Sequence, residues 1–411
     1  MSGAAVLRAL ATLAWRNLWR RPWRTGVMLG AVALGVWSMI TLAALSRGSM
    51  EQQVTRAISN LTGHVQVHAP GYRDDPAADR SMPPPSSPLR QALAQPDVVA
   101  WSVRVRVPAV VASERESAGV TFVGIDPERE RRLSFVARGV TAGRYLESPD
   151  DAGLLLGRRL AERLETGLGK RVVVTAQDAA GGLAERGYRV VGLFDAEPER
   201  IETAFVFTGL HVAQQQLALG DGVSELAVLS TDRRRLAPLL ARLRAAAPGL
   251  DVEPWTALEP LLVVTERVRG VLLAIWYAVV FLAMSLGLVN TLLMAVFERT
   301  REIGLVQALG MQPVAVTGQI LVESLFLLAL GLALGNAAAW ATLAWLGRGL
   351  DLSAFARGLE LVGVSPVIYP MARPADVVRA NALVLGLGLA ASLYPAWRAA
   401  RAVPVEAIAR G

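Results

Sequence analysis

Cysteine is absent from the 411 residues, which excludes disulfides, thiol catalysis and cysteine-ligated metals. Histidine is nearly as scarce, with only His64, His68 and His211. His64 and His68 stand in the alternating stretch HVQVH and share one strand face. At ~3.3 Å per residue they lie roughly 13 Å apart, too far to ligate one metal ion. A solvated strand face is the expectation there. So few histidines leave no Ser-His-Asp arrangement to assemble, and no pair of carboxylates stands out. Gly169-Lys170 looks like the end of a phosphate-binding loop. Leu164, however, stands where such a loop needs its first glycine, and Arg171 where it needs the magnesium-binding Ser or Thr. No catalytic residue, metal site or cofactor of its own is expected in this chain.

Charge is also in short supply. Charged residues make up 19% of the sequence against 53% hydrophobic, with a mean hydropathy of +0.38. Soluble domains carry about 25% charged residues, so the deficit points to lipid-facing segments. Four stretches hold no charge at all: residues 25–46, 270–297, 324–347 and 380–397. Each approaches or exceeds the ~20 residues that span a bilayer. The first is longer than the apolar part of a secretory signal, about 7–15 residues, and no small-x-small cleavage site follows it, so it is read as an uncleaved anchor. Transporters that bind ions near the midplane place acids, histidines or broken helices there. Here only Glu323 borders a hydrophobic run. Ion-coupled transport is not expected, and energy has to come from a partner.

The net charge of +7 comes largely from arginines flanking these runs, which suits a membrane surface better than nucleic acid. Arg8, Arg16, Arg20, Arg21 and Arg24 precede the first run, Arg299 and Arg301 follow the second, and Arg398, Arg401 and Arg410 follow the fourth. Both termini are therefore expected in the cytoplasm. The layout becomes a cytoplasmic interfacial helix over 1–24, spans at 25–46, 270–297, 313–347 and 380–397, and a large outer domain at 47–269. A cytoplasmic connector at 298–312, an outer loop at 348–379 and a cytoplasmic tail at 398–411 complete it. Trp15 and Trp19 share a helix face with Arg16 and Arg20 beside them, and Trp23 stands just ahead of the first span. Rings at headgroup depth with guanidinium groups on phosphates describe an interfacial helix. Small residues four apart mark candidate packing stripes: Gly26 and Gly30, Ala283 and Gly287, Gly331 with Gly335 and Ala339, and Ala382 with Gly386 and Ala390.

Residues 47–269 read as a mixed α+β domain, large enough for two lobes. Strands are expected at 64–68, 103–107, 120–123, 171–175, 188–194, 204–207 and 225–229, and helices at 153–164, 211–219 and 233–246. The proline-rich stretch 76–88 reads as a loop or tether. The fold class is thus a four-span α-helical membrane protein with a large α+β extracytoplasmic domain between the first and second spans.

The connector is the most informative segment: Glu298, Arg299, Thr300, Arg301, Glu302, Ile303, Gly304, Leu305, Val306, Gln307, Ala308, Leu309, Gly310. Charges fill its first turn, and Ile303, Val306 and Leu309 recur at near-helical spacing. Arg299 and Glu302 can pair three residues apart. Gly310 is a natural stop and Pro313 a natural start for the next helix. This describes a short amphipathic helix at the membrane face, where another protein could push. The segment 290–335, with its ERTREIG…ALG signature, resembles the FtsX/MacB permease family of ABC transporters. The tail 394–409 (YPAWRAARAVPVEAIA) and the stretches 154–174, 188–194 and 204–217 are similar to that family too.

The resemblance implies a non-catalytic permease subunit of the bacterial inner membrane. Such subunits pair with a second copy or a paralogue, and an ABC ATPase binds the ATP and magnesium. Glu298 to Gly310 would dock on that ATPase, bordered by the N-terminal arginines and by Arg398 to Arg410. Only 24 residues precede the first run, so the ATPase is expected on a separate chain. Within the family, size and layout look most like the LolC/LolE permeases, which implies lipoprotein release and a periplasmic carrier. The connector wording is closer to MacB-like permeases, which would imply export with a periplasmic adaptor. An FtsX-like regulator of cell-wall hydrolases and a membrane-anchored binding domain without any ATPase remain alternatives.

Overall fold

The computed structural model describes residues 3–308, 311–355 and 366–401. The chain forms two compact units, residues 53–264 and the segments on either side of them. Helix α1 (Gly3–Leu18) comes first, then α2 (Pro22–Ala57), which begins on a proline whose missing N–H is unneeded in a first turn. The helix ends in a break at Asn60 and Leu61, where Leu61 takes a positive φ of 82°. Gly63, at φ 66°, then turns the chain into the first strand.

Strand β1 (Val65–His68), α3 (Ser87–Leu93) and β2 (Val98–Ala112) open the domain. Chain order continues β3 (Ser117–Ile125), α4 (Pro127–Glu130), α5 (Val136–Gly139), β4 (Val140–Gly143), β5 (Gly153–Gly157), α6 (Arg158–Arg163), β6 (Arg171–Gln177) and β7 (Leu183–Phe194). Then follow α7 (Arg200–Ala204), β8 (Phe205–Gly209), α8 (Leu210–Gln216), β9 (Glu225–Ser230), α9 (Ala237–Ala246), β10 (Asp251–Pro254) and α10 (Trp255–Leu258). These strands form one sheet, in which two substructures share the long β2.

In the first substructure the order is β10-β1-β9-β2, all neighbours antiparallel, with helices following β1 and β9. This is a split βαβ arrangement. Val65, Val67, Leu226, Val228 and Val252 face α3 and α9 across one core. The second substructure is inserted between β2 and β9. Its pairings close a ring, β2-β3-β8-β5-β7-β6 and back to β2. Val107, Phe122, Leu154, Leu156, Val174, Tyr188 and Val206 fill its core, as expected of a small barrel whose interior is side chains. The β3–β8 and β5–β7 pairs are parallel, so the domain is mixed α/β, not α+β as the sequence suggested.

One expected helix begins as a strand. Gly153–Gly157 is β5, and only Arg158–Arg163 of the stretch 153–164 is helical. Leu154, Leu155 and Leu156 are all fully buried. A continuous apolar run suits a strand covered on both faces. The proline-rich stretch is pinned where a tether was expected, because Met82 bridges Val223 and is buried.

The histidines also correct the sequence reading. β1 lies between β9 and β10, and His64 and His68 are 8% and 2% exposed. Their face lies opposite α3 and α9, and it holds paired polar groups in place of water. His64 Nδ1 accepts from the Ser230 N–H at 2.8 Å, and His68 Nε2 lies 2.9 Å from Gln66 Oε1 with its ring stacked on Tyr72. Among the described residues no group of three metal-binding side chains comes together.

Glu225 belongs to the same face. Burial pushes its carboxyl up, but the Arg106 and Arg104 guanidinium groups outweigh burial and hold it below the usual carboxylate range. Its contribution to stability is therefore full above the unfolded carboxylate pKa of about 4.3 and is lost as pH falls through the lower native value. Thermal unfolding of the full chain in detergent should show the domain transition holding from neutral pH to about pH 4 and dropping below it. Arg106→Gln should move that drop to higher pH. A midpoint that drops at the same pH in both proteins would contradict the pairing.

Among the described residues the remaining α-helices are α11 (Pro260–Glu298), α12 (Thr300–Ala308), α13 (Pro313–Trp345) and α14 (Pro374–Ala400). Four helices, α2, α11, α13 and α14, are long and apolar enough to cross a membrane. Close approach is confined to particular glycines. A Cβ on Gly331 would lie 2.7 Å from Val32 Cβ, and one on Gly335 would lie 2.7 Å from the Ala33 carbonyl oxygen, so α13 lies tight on α2. Gly388 meets Leu328 in the same way, setting α14 on α13. Gly26, Gly30 and Gly386 have no described atom within 4 Å of a Cβ position.

Polar pairs complete the packing. Asn336 and Asn381 exchange side-chain hydrogen bonds at 2.7 and 3.1 Å, joining α13 to α14. Asn336→Leu should leave the Asn381 Oδ1 without its donor, while Nδ2 keeps the Val377 carbonyl, and cost about 0.6–2 kcal/mol, with Asn336→Leu/Asn381→Leu costing less than the two single changes summed. Thermal unfolding of the four proteins measures the cycle; strict additivity would show that the pair does not couple.

Candidate functional site

The link between α11 and α13 is short because its ends are capped by its own side chains. The Thr300 hydroxyl donates to the carbonyls of Val296 and Phe297, closing α11, and Pro313 sits in the first turn of α13. Between them α12 buries one side. Ile303 packs against Val296, Val316, Ile320, Ala396 and Ala399, and Gly304 is buried. Arg301, Leu305 and Ala308 are exposed. Gln307 donates to the Ala400 carbonyl at 3.4 Å, and the Arg398 guanidinium lies over the Phe297 ring. Leu309, Gly310 and Arg410 lie outside the described residues.

A ring of ion pairs ties this link to the N-terminal arm. Arg20 makes a two-pronged bond to Glu302 at 3.1 and 3.2 Å. Arg24 does the same to Glu298 at 2.9 Å on both prongs, and Arg21 reaches Glu298 at 2.5 Å. Arg299 bonds Glu323 at 3.4 Å and the Asn17 carbonyl at 3.1 Å. These groups line a cleft of about 200 Å³ floored by Leu18, Met28, Leu292 and Leu327. The hydrogen bond from Arg20 holds the Glu302 carboxyl below the usual carboxylate range.

Sequence spacing suggested an Arg299–Glu302 pair. The structure gives each a different partner, because the arm brings Arg20 to Glu302 and leaves Arg299 to the nearly buried Glu323. Glu323 is the residue whose role sequence reasoning missed. Its signal was a lone acid at the mouth of an uncharged run. The arm itself is seated by Ala14 and Leu18, both buried, and by Trp15, edge-on to Phe326 at 5.7 Å. Arg16, Trp15, Trp19 and Trp23 keep exposed surface, Trp23 the most at 85%.

Two exposed partners make the Arg20–Glu302 bond open to solvent screening. Arg20→Gln should therefore leave the thermal midpoint unchanged while returning the Glu302 carboxyl toward its ordinary pKa. Titration of a 13C-carboxyl-labelled Glu302 by NMR checks this; an unmoved pKa would show that Arg20 is not its partner in the membrane-embedded protein.

The geometry is that of a short helix held on one side and open on the other. A family model described as the MacB-like periplasmic core domain matches residues 25–246, and one described as the FtsX-like permease C-terminal matches residues 274–404. The lipoprotein-releasing system transmembrane protein LolC of Neisseria meningitidis is 26% identical over 399 residues, 93% of each chain. The macrolide export ATP-binding/permease protein MacB of Nitrobacter winogradskyi is 26% identical over 433 residues, covering 98% of this chain and 61% of that one. The solved periplasmic region of MacB from Actinobacillus actinomycetemcomitans is 13% identical over 50% of this chain and 94% of that one, at a TM-score of 0.36. With one match spanning more than half of the sequence and a second covering α12 and the helices around it, this multi-pass membrane chain belongs to the FtsX/MacB-like family of ABC transporter permeases.

Proposed function

We propose that this permease transmits the ATP-driven motion of a separate ATPase chain to its 53–264 domain, and that its work is the release of lipoproteins from the inner membrane. The observation that carries the reading is α12, held by Arg20 at Glu302 while Arg21 and Arg24 hold Glu298 at the end of α11, and presenting Arg301, Leu305 and Ala308 outward. A helix so held can accept a push and pass it on to α11 and α13. ATP and magnesium belong to the partner, both termini face the cytoplasm, and a second permease copy or paralogue completes the assembly. A periplasmic carrier receives the cargo.

Lipoprotein release is favoured over export by the even match to a lipoprotein-releasing relative, 93% of both chains. A MacB-like export role with an adaptor is the second reading, favoured by the wording of the connector and by the family model over 25–246. The test uses the permease and its co-purified ATPase in liposomes with a fluorescent lipoprotein and a soluble acceptor. ATP-dependent transfer to the acceptor is expected. No transfer, together with drug sensitivity on deletion of the permease and co-purification of an adaptor, would decide for export.

A further inference from the structure

The segment that follows α2 does not enter its domain through apolar packing alone. It enters onto a buried lattice of charges. By strand alternation, the face of the β10-β1-β9-β2 sheet opposite α3 and α9 carries Gln66 and His68 from β1 with His64 just ahead of it, Glu225 from β9, and Arg104 and Arg106 from β2. Arg104 has no exposure, and Glu225 and Glu130 of α4 have essentially none.

The Arg104 guanidinium is shared among three parts of the chain. Nε and Nη2 grip Glu130 at 3.1 and 2.7 Å, and Nη1 donates to Glu225 at 2.7 Å and to the Leu61 carbonyl at 2.5 Å. Arg106 reaches the second oxygen of Glu225 at 3.4 Å. Leu61 is the residue held at positive φ in the break after α2. Its carbonyl also accepts from the Gln66 amide at 3.2 Å. A non-glycine residue at positive φ persists only where its surroundings over-determine it. Here two side-chain donors hold its carbonyl.

Fully buried ion triads are a poor way to gain stability, since well-packed apolar replacements often do as well or better. Their distinctive property is directional. A guanidinium fork fixes its partners in angle and distance, whereas leucines can slide. The lattice also joins parts that need to move together: the exit of α2, the split βαβ sheet through Glu225, and the start of the barrel insertion through Glu130.

We infer that Arg104 is the positioning residue of a rigid joint, which ties the Leu61 carbonyl to Glu130 and Glu225 so that displacement of α2 is delivered to both substructures at once. This rests on the reading that ATP-driven motion reaches the domain. Arg104 is fully buried and acts through Leu61.

The test is hydrogen-exchange mass spectrometry on the full chain with its ATPase in nanodiscs, comparing nucleotide-free and ADP–vanadate-trapped complexes. In the wild type, trapping should change exchange in residues 58–63, in β9 and in α4. The triple variant R104M/E130Q/E225Q removes the charges together, so no carboxylate is left buried and unpaired. It should melt as the wild type does and hydrolyse ATP at the wild-type rate, while the trapping-induced change in β9 and α4 falls roughly fivefold or more. If the triple variant does not fold, R104K is read in its place, since it keeps the charge but cannot form the fork. A full-size response in the variant would overturn the joint. A wild type with no response anywhere in 53–264 would overturn the transmission reading beneath it, and the two failures are distinguishable.

Discussion

Glu298→Lys should cut ATP-dependent cargo release roughly a hundredfold. Glu298 is the shared acceptor of Arg21 and Arg24 at the last turn of α11. A lysine there would set a third cation against two arginines and push the arm away from the connector. The arm and α12 would then move independently, and a push on α12 would be spent in reorientation. Coupling free energies between sites typically correspond to about 5–150-fold, and loss of this contact should fall in the upper part of that range. The ATPase activity of the complex should persist, because in this reading the partner chain binds the nucleotide. Arg21→Glu/Arg24→Glu/Glu298→Lys restores opposite charges across the contact and should recover much of the release. If the single reversal transfers lipoprotein at the wild-type rate, the arm is not part of the transmission path. If the triple variant fails to recover, the loss has a cause other than charge pairing.

Gly335→Leu should unfold or rearrange the helix bundle. At this site an added Cβ would lie 2.7 Å from a backbone oxygen of α2, an atom that cannot swing away as a side-chain end can. Overpacking of this kind costs typically 1–3 kcal/mol, and about that much or more is expected here because α2 itself has to shift. Gly331→Leu meets the Val32 side chain and should cost less. Gly386→Leu is the contrast, since open space surrounds that position and surface changes usually stay within about 0.5 kcal/mol. Thermal unfolding in one detergent compares all three. Equal midpoints for Gly335→Leu and Gly386→Leu would show that the α2–α13 approach is looser than the structure has it.

That contrast also marks what the sequence could and could not tell. Absence of charge located the four crossing segments, because burying a charge in lipid is costly enough to leave a clean gap in the composition. The connector was legible for the opposite reason, its charges being packed between two uncharged runs. Glycine spacing was a weaker guide. Gly26, Gly30, Gly331, Gly335 and Gly386 look alike in sequence, yet only Gly331 and Gly335 meet a neighbouring helix within the chain. Which face meets which helix is a tertiary property, invisible to a four-residue period.

In the domain, alternation found most strands, but their order depends on long-range pairing. Nothing in the local pattern of β2 says that its first half pairs β9 while its second half pairs β3 and β6. Polar alternation misled at His64 and His68 because it cannot distinguish a face open to water from one roofed by the chain's own entry segment. The buried charge lattice was hidden for the same reason. Arg104 and Glu225 fall in expected strands, and nothing in the local pattern says that the break at Leu61 lies over them.

The most direct measurement is site-specific photocrosslinking from α12. Benzoylphenylalanine at Leu305, which is 55% exposed, should capture a nucleotide-hydrolysing protein in native membranes, with a yield that changes between ATP-bound and nucleotide-free conditions. The same probe at Arg348, beyond the far end of α13, should not. Capture of an ATPase from Arg348 and never from Leu305 would contradict the proposed route of force into this permease.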